Sequence, residues 1–128
     1  GPITVYGDGN QVRDVLFIDD LVEAFLTASE RIDEVRGRAL NIGGGPKNAI
    51  SLLELIEHIA TNLGRRPELR FGPWRTSDQR YYVSDIRRAG QLLDWVPRRS
   101  LEFGISQVTH WLAGYHGITA EQAAGRMA

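Results

Sequence analysis

Apolar runs with strand character are short and far apart in this sequence. ITVY (3–6) stops at the turn chemistry of Gly7-Asp8-Gly9-Asn10. Residues 14–18 read as a second short strand, and ALNI (39–42) as a third, ended by Gly43-Gly44-Gly45-Pro46. ELRF (68–71) is a fourth candidate. Roughly three or four strands of this size make a poor independent sheet.

The stretches between them carry helical periodicity. Asp19 or Asp20 is placed to cap a helix running to about Glu30, with Leu21, Val22, Phe25 and Leu26 on one face. Ser51-Leu52-Leu53-Glu54 matches a capping box. Behind it Leu52, Leu55, Ile56, Ile59, Ala60 and Leu63 keep the helical period, and Gly64 is a C-terminal cap. Asp85 is placed to cap a short helix over 86–93, closed by Trp95-Val96-Pro97. Ser100 is placed to cap a last long helix striped by Leu101, Ile105, Val108, Trp111, Leu112 and Tyr115 and closed by Gly117. Residues 119–127 allow a terminal helix. Trp95, Phe103 and Trp111 are expected in the core, and the Arg98-Arg99 pair in solvent. Strands alternating with about four to five helices predict an α/β fold, with this sequence one part of a larger one.

Composition removes several functions. The 128 residues carry a net charge of −1, which gives no basic excess for binding nucleic acid. Cysteine is absent, so disulfides and thiolate metal sites are excluded. His58, His110 and His116 have no ligand spacing, and no metal site is expected. No apolar run is long enough to span a bilayer, and no signal-peptide pattern opens the chain. The expected compartment is the cytoplasm, with no membrane partner.

Arg13-Asp14 lies between a glycine turn and a strand. An arginine there suits a phosphate or carboxylate, and it equally suits a surface ion pair. Asn41, polar within an apolar run, either offers a hydrogen bond to a ligand at a strand's carboxyl end or satisfies turn backbone. Gly43-Gly44-Gly45 has neither dinucleotide nor P-loop spacing. The stretch GPWRTSDQRYYVSD (72–85) is the densest in polar chemistry. Arg75 suits a phosphate, Asp78 ribose hydroxyls, and Tyr82 stacking or donation. If the segment is extended, Asp78, Arg80 and Tyr82 share one side. The competing reading is a solvated loop whose aromatic residues plug a small core. Asp14, Asp19 and Asp20 form a carboxylate group, but capping accounts for the latter two.

These stretches occur together in a familiar order. VYGDGNQVRDVLFIDDLVEAF, ALNIGGG, SLLELI, WRTSDQRYYVSDI and LLDWVPRRSLEFGI resemble the C-terminal half of the extended short-chain dehydrogenase/reductases. These are NAD-dependent sugar-nucleotide epimerases and dehydratases. QVRDVL, NAISLLEL, SDQRYYVSDI and LDWVP are most similar to the CDP-paratose 2-epimerase group within that family.

The resemblance implies a substrate-binding portion of a Rossmann-type fold, occupying residues 1–128 as a single partial domain. It implies that Arg13 and Arg75 contact the diphosphate of a CDP-, UDP- or dTDP-sugar, with Asn41, Asp78 and Tyr82 nearby. Neither the GxxGxxG cofactor loop nor the Tyr-x-x-x-Lys pair of the family occurs here. NAD is therefore expected on an N-terminal Rossmann portion outside this sequence. No catalytic or cofactor-binding residue is assigned within it, and the chain alone is expected to be inactive. A homodimer is the expected assembly.

Overall fold

A computed structural model describes residues 1–115. In chain order the elements are β1 (Ile3–Tyr6), β2 (Val12–Asp14), α1 (Ile18–Glu30), α2 (Ile32–Val35), a single 3-10 turn (Pro46–Asn48), β3 (Ala49–Ser51), α3 (Leu52–Leu63), β4 (Leu69–Gly72), β5 (Tyr81–Tyr82), α4 (Arg87–Leu93) and α5 (Leu101–Tyr115). They fall into two compact units, and the α/β class agrees with expectation.

One unit takes residues 1–11, 51–80 and the described residues from 102 onward. In it β1 and β4 pair in parallel, from Ile3 opposite Leu69 to Tyr6 opposite Gly72. Between these strands in sequence lies α3, whose ends are locally determined. The Ser51 hydroxyl accepts the Glu54 N–H, and the Glu54 carboxylate accepts the Ser51 N–H at 2.8 Å. Gly64 closes the helix at a φ of 66°, a left-handed conformation that glycine adopts without penalty. Val5, Ile56, Ala60 and Ile105 are the buried apolar residues of this unit.

The other unit takes residues 12–50 and 81–101. Its sheet has the order β3-β2-β5, with Val12 opposite Tyr81 and Arg13 opposite Tyr82 in parallel register. Its core gathers Ala24, Val35, Ala89, Leu93 and Trp95, with Leu16, Ala28, Leu40, Ile42 and Ile86 packed against it. The Trp95 indole N–H donates to the Asp20 carbonyl at 3.0 Å, so the ring is buried without an orphaned donor.

Several expectations need correction. The strand at 14–18 is shorter and earlier, at Val12–Asp14. Residues 39–42 form no strand: Leu40 and Ile42 supply core packing without joining a ladder. A strand missing from the expectation, β3, pairs with β2 instead. Helix α1 starts at Ile18 with Phe17 in the cap position, and neither Asp19 nor Asp20 caps it. The expected inner face of α1 points outward, with Val22, Phe25 and Leu26 exposed, while Asp20 and Ala24 are buried.

Phe103 and Trp111, expected in the core, are 45% and 62% exposed. Arg99, expected in solvent, is bound by two carboxylates. Segment 72–85 is not extended throughout. It turns at Ser77, whose φ is 66°, with the Asp78 N–H donating to the Arg75 carbonyl, so strand alternation does not carry across. The expected terminal helix at 119–127 and the Gly117 cap lie outside the described residues.

Candidate functional site

The predicted ligand residues divide between the two units. Arg75 and Asp78 belong to the first, and Arg13, Asn41 and Tyr82 to the second.

In the first unit the turn at Ser77 brings Arg75 and Asp78 together through their backbones. The Arg75 guanidinium lies over the Tyr6 ring, 3.9 Å from its centroid. Arg80 stacks in the same way on Trp74 at 5.0 Å. A guanidinium stacked on an aromatic face stays pre-oriented, with its in-plane donors available to an oxyanion. Trp74 reaches this position because Gly7 yields to it: a Cβ at Gly7 would meet the indole at 2.7 Å. Gly7 also has a φ of 88°, so a side chain there is excluded twice over. Tyr6 and Trp74 were not singled out in the sequence as the rings that support these guanidinium groups. Their signal was the aromatic residue at the carboxyl end of β1, which read only as strand propensity. Gln11 was also passed over. Its amide N–H donates to the Tyr6 carbonyl at 3.0 Å, while its buried Oε1 has no partner among the described residues.

In the second unit, β2 and β5 place Arg13 beside Tyr82 as register partners. The Arg13 Nη1 donates to the Val12 carbonyl at 2.7 Å. Asn41 is exposed and its Nδ2 donates to the Asp85 carbonyl at 3.4 Å, just beyond the end of β5. Asp85 itself is exposed and accepts from Arg87, through both the side chain (2.6 Å) and the backbone N–H (3.1 Å). The guanidinium contact, then the backbone one, hold its carboxyl down at about 2.

Asp14 reaches across to the glycine turn. Its Oδ2 accepts the Gly45 N–H at 2.9 Å. The three glycines are all buried. A Cβ on Gly43 would collide with the Ser84 hydroxyl and stand 2.5 Å from the Asp14 carboxylate, and one on Gly44 would run into the Val15 carbonyl. This turn is thus filled by the protein's own groups. It offers no open cradle for a dinucleotide phosphate. Among the described residues no group of three or more His, Cys, Asp or Glu gathers where a metal ion could sit. None of their helices is long and apolar enough to cross a membrane.

The second charged centre of this unit is deep. Asp20 is fully buried and accepts from Arg99 twice, at its backbone N–H (3.0 Å) and at Nη1 (2.6 Å). Burial alone would push the Asp20 carboxyl up, but the hydrogen bonds from Arg99 and the Arg98 backbone outweigh it and hold the carboxyl below its ordinary value. Arg99 also donates to Glu23 at 2.8 Å, and both carboxylates raise its own pKa.

Comparison with known proteins agrees with this architecture. Residues 1–43 match the model of the NAD dependent epimerase/dehydratase family. The chain is 37% identical over 110 residues to a CDP-paratose 2-epimerase of Salmonella typhi, a match that covers 86% of this chain and 32% of the relative. It is 31% identical over 110 residues to a UDP-glucuronate 4-epimerase of Thermodesulfobacterium geofontis, covering 86% of this chain and 33% of the relative. Its fold superposes with a TM-score of 0.82 on a UDP-glucuronic acid 4-epimerase from Bacillus cereus solved with UDP-glucuronic acid and NAD, at 29% identity, covering 89% of this chain and 36% of that one. The chain spans about a third of the length of the curated relatives it matches. In sequence and fold it resembles the extended short-chain dehydrogenase/reductases, as the motif order implied.

Proposed function

We propose that this chain is the nucleotide-sugar-binding portion of an NAD-dependent sugar-nucleotide epimerase of the CDP-paratose 2-epimerase kind. In the whole protein NAD, held by an N-terminal Rossmann portion outside this chain, would take a hydride from C2 of the sugar to give a ketone and return it to the other face. The cofactor supplies that chemistry. This chain supplies binding energy from the nucleotide handle, remote from the reacting carbon. Residues 1–128 form one partial domain of that protein and carry no catalytic residue, so the chain alone gives no turnover.

The observation that carries this reading is the stacking of Arg75 on Tyr6, an anion-ready guanidinium on the segment with the densest ligand chemistry. Arg13 and Arg75 each contribute a diphosphate contact, worth about 1.5–3 kcal/mol before desolvation is subtracted. Asn41, Asp78 and Tyr82 address the nucleotide and sugar, all three through polar groups on irregular chain or at a strand end. The reaction class extends to other sugar-nucleotide epimerases and to 4,6-dehydratases, with CDP-, UDP- or dTDP-sugars as substrates.

Isothermal titration of the chain with CDP and UDP tests this. Binding is expected, and it should weaken at least about tenfold in Arg75→Ala and in Arg13→Ala, one contact's worth each. Wild-type chain that binds neither nucleotide refutes the reading.

A second reading, a non-catalytic nucleotide-sugar-binding or oligomerisation module, is favoured by one observation. Ile18, Val22, Phe25 and Leu26 leave an apolar face of α1 exposed. Homodimerisation through such a face gives a concentration-dependent elution volume in size-exclusion chromatography. A monomer at all concentrations counts against it.

A further inference from the structure

We infer that Asp14 is a positioning residue, tying the strand that carries Arg13 to the glycine turn that follows Asn41. The inference rests on the nucleotide-binding reading above and goes on to say how two of its contacts are held in place.

Gly45 has φ 67° and ψ −173°, a conformation open essentially to glycine alone. That conformation aims its N–H at the Asp14 carboxylate, 2.9 Å away. A carboxylate oxygen is a strong acceptor for a backbone N–H. The turn is stitched to the end of β2 at further points. Gly44 sits against the Val15 carbonyl with no space for a side chain. The Val15 N–H donates to the Asn48 carbonyl at 3.0 Å, and the Asn48 N–H donates to the Gly45 carbonyl at 3.2 Å. Gly43 lies where Asp14 and the buried Ser84 meet.

Two consequences follow for the candidate ligand residues. Neighbouring side chains on a strand leave on opposite faces. Anchoring Asp14 on one face of β2 therefore fixes the roll of the strand, and with it the direction of Arg13 on the other. Asn41 stands two residues before Gly43 and hydrogen-bonds the Asp85 carbonyl, one residue after Ser84. A turn pinned at Gly43 and Gly45 holds Asn41 at that distance. One carboxylate thus serves both Arg13 and Asn41 without itself touching a ligand.

The test is nucleotide titration of the 128-residue chain with CDP and UDP, with circular dichroism to confirm folding. Asp14→Ala is expected to weaken binding about tenfold, and Asp14→Asn, which keeps an acceptor oxygen at the same place, to stay within about threefold of wild type. A purely structural role would leave the contribution of Arg13 intact in any molecule that still folds. Positioning makes the two non-additive: Arg13→Ala should weaken binding about tenfold in the wild-type chain and less than about threefold beside Asp14→Ala. If Asp14→Ala does not fold, Asp14→Ser takes its place, because its shorter side chain falls short of Gly45. Wild-type affinity in folded Asp14→Ala, or in Asp14→Ser where it is used, overturns the inference and leaves the nucleotide-binding reading standing. Additive losses do the same. A wild-type chain that binds neither nucleotide overturns both.

Discussion

Removing the Asp20 carboxylate should expose how much of the second unit hangs on one buried charge. Asp20 lies within α1 at 0% exposure, and Arg99 replaces water there with a backbone N–H at 3.0 Å and a guanidinium at 2.6 Å, joined by the Arg98 backbone. A hydrogen bond to a charged group contributes about 1.5–3 kcal/mol net. The two Arg99 bonds together contribute about 3–6 kcal/mol. Two effects reduce it. Asp20→Ala also removes the cost of burying a carboxylate, and the guanidinium keeps Glu23 and partial access to water. The expected loss for Asp20→Ala is therefore about 2–4 kcal/mol, at or below the range for breaking a buried pair. Asp20→Asn preserves shape and one acceptor, and should lose about 1–2 kcal/mol.

Urea unfolding followed by tryptophan emission measures this, since Trp95 packs on the same helix through the Asp20 carbonyl. With a slope of about 1–3 kcal/mol per molar urea, the Asp20→Ala midpoint should fall by on the order of 1–2 M. The pH dependence gives the sharper check. The folded carboxyl is held below its ordinary value of 3.8. Its contribution is complete above that value and disappears as pH falls through the lower folded one. The deficit of Asp20→Asn should thus be constant at neutral pH and shrink as pH drops below about 4. A deficit for Asp20→Ala under about 0.5 kcal/mol, the level of an ordinary surface change, refutes the reasoning. So does an Asp20→Asn deficit unchanged between neutral and strongly acidic pH.

Three further outcomes follow from local geometry. Ser51→Ala breaks the capping box of α3 and should cost about 1 kcal/mol, seen as a melting temperature lower by about 3–6 °C. Gly44→Ala forces a methyl against the Val15 carbonyl and should cost about 3 kcal/mol in urea unfolding, whereas Gly64→Ala, strained by its left-handed φ but facing open space, should cost only about 1 kcal/mol. In a carboxyl-detected NMR titration Asp85 should titrate at about 2 and rise toward the ordinary carboxylate range in Arg87→Ala, staying below it because the residue-87 backbone N–H remains; an unmoved Asp85 disproves the assignment to the Arg87 side chain.

What the sequence made legible was local. Helix α3 was readable to its ends because capping box, helical period and closing glycine agree within fourteen residues, Ser51 to Gly64. Partners distant in sequence were not readable. Arg99 looked like half of a solvated basic pair because Asp20 stands 79 positions away, and the bond from Gly45 to Asp14 was invisible because Gly45 is 31 positions away. A residue pattern states that a charge needs a partner without saying which one. ALNI failed as a strand for a related reason. Leu40 and Ile42 do pack against the core, but a strand also needs an edge to pair with, and the β2 edge went to β3.

Helix α1 separates amphipathicity from orientation. Its period was real, yet the large residues Val22, Phe25 and Leu26 face outward and the small Ala24 faces the core. Packing inside the unit explains the choice. The Trp95 ring and the Arg99-bound Asp20 occupy the inner side, leaving room there for a methyl group but not for a phenyl ring. A helix with apolar groups on two sides is built to be covered on both. The outward face of α1 is therefore the place where partner contact should register first. Phe25→Glu should abolish any self-association or docking while leaving the unfolding midpoint of the isolated chain within about 0.5 kcal/mol of wild type, because that side chain is 69% exposed. A large loss of stability in Phe25→Glu would mean that the face is already packed within the monomer.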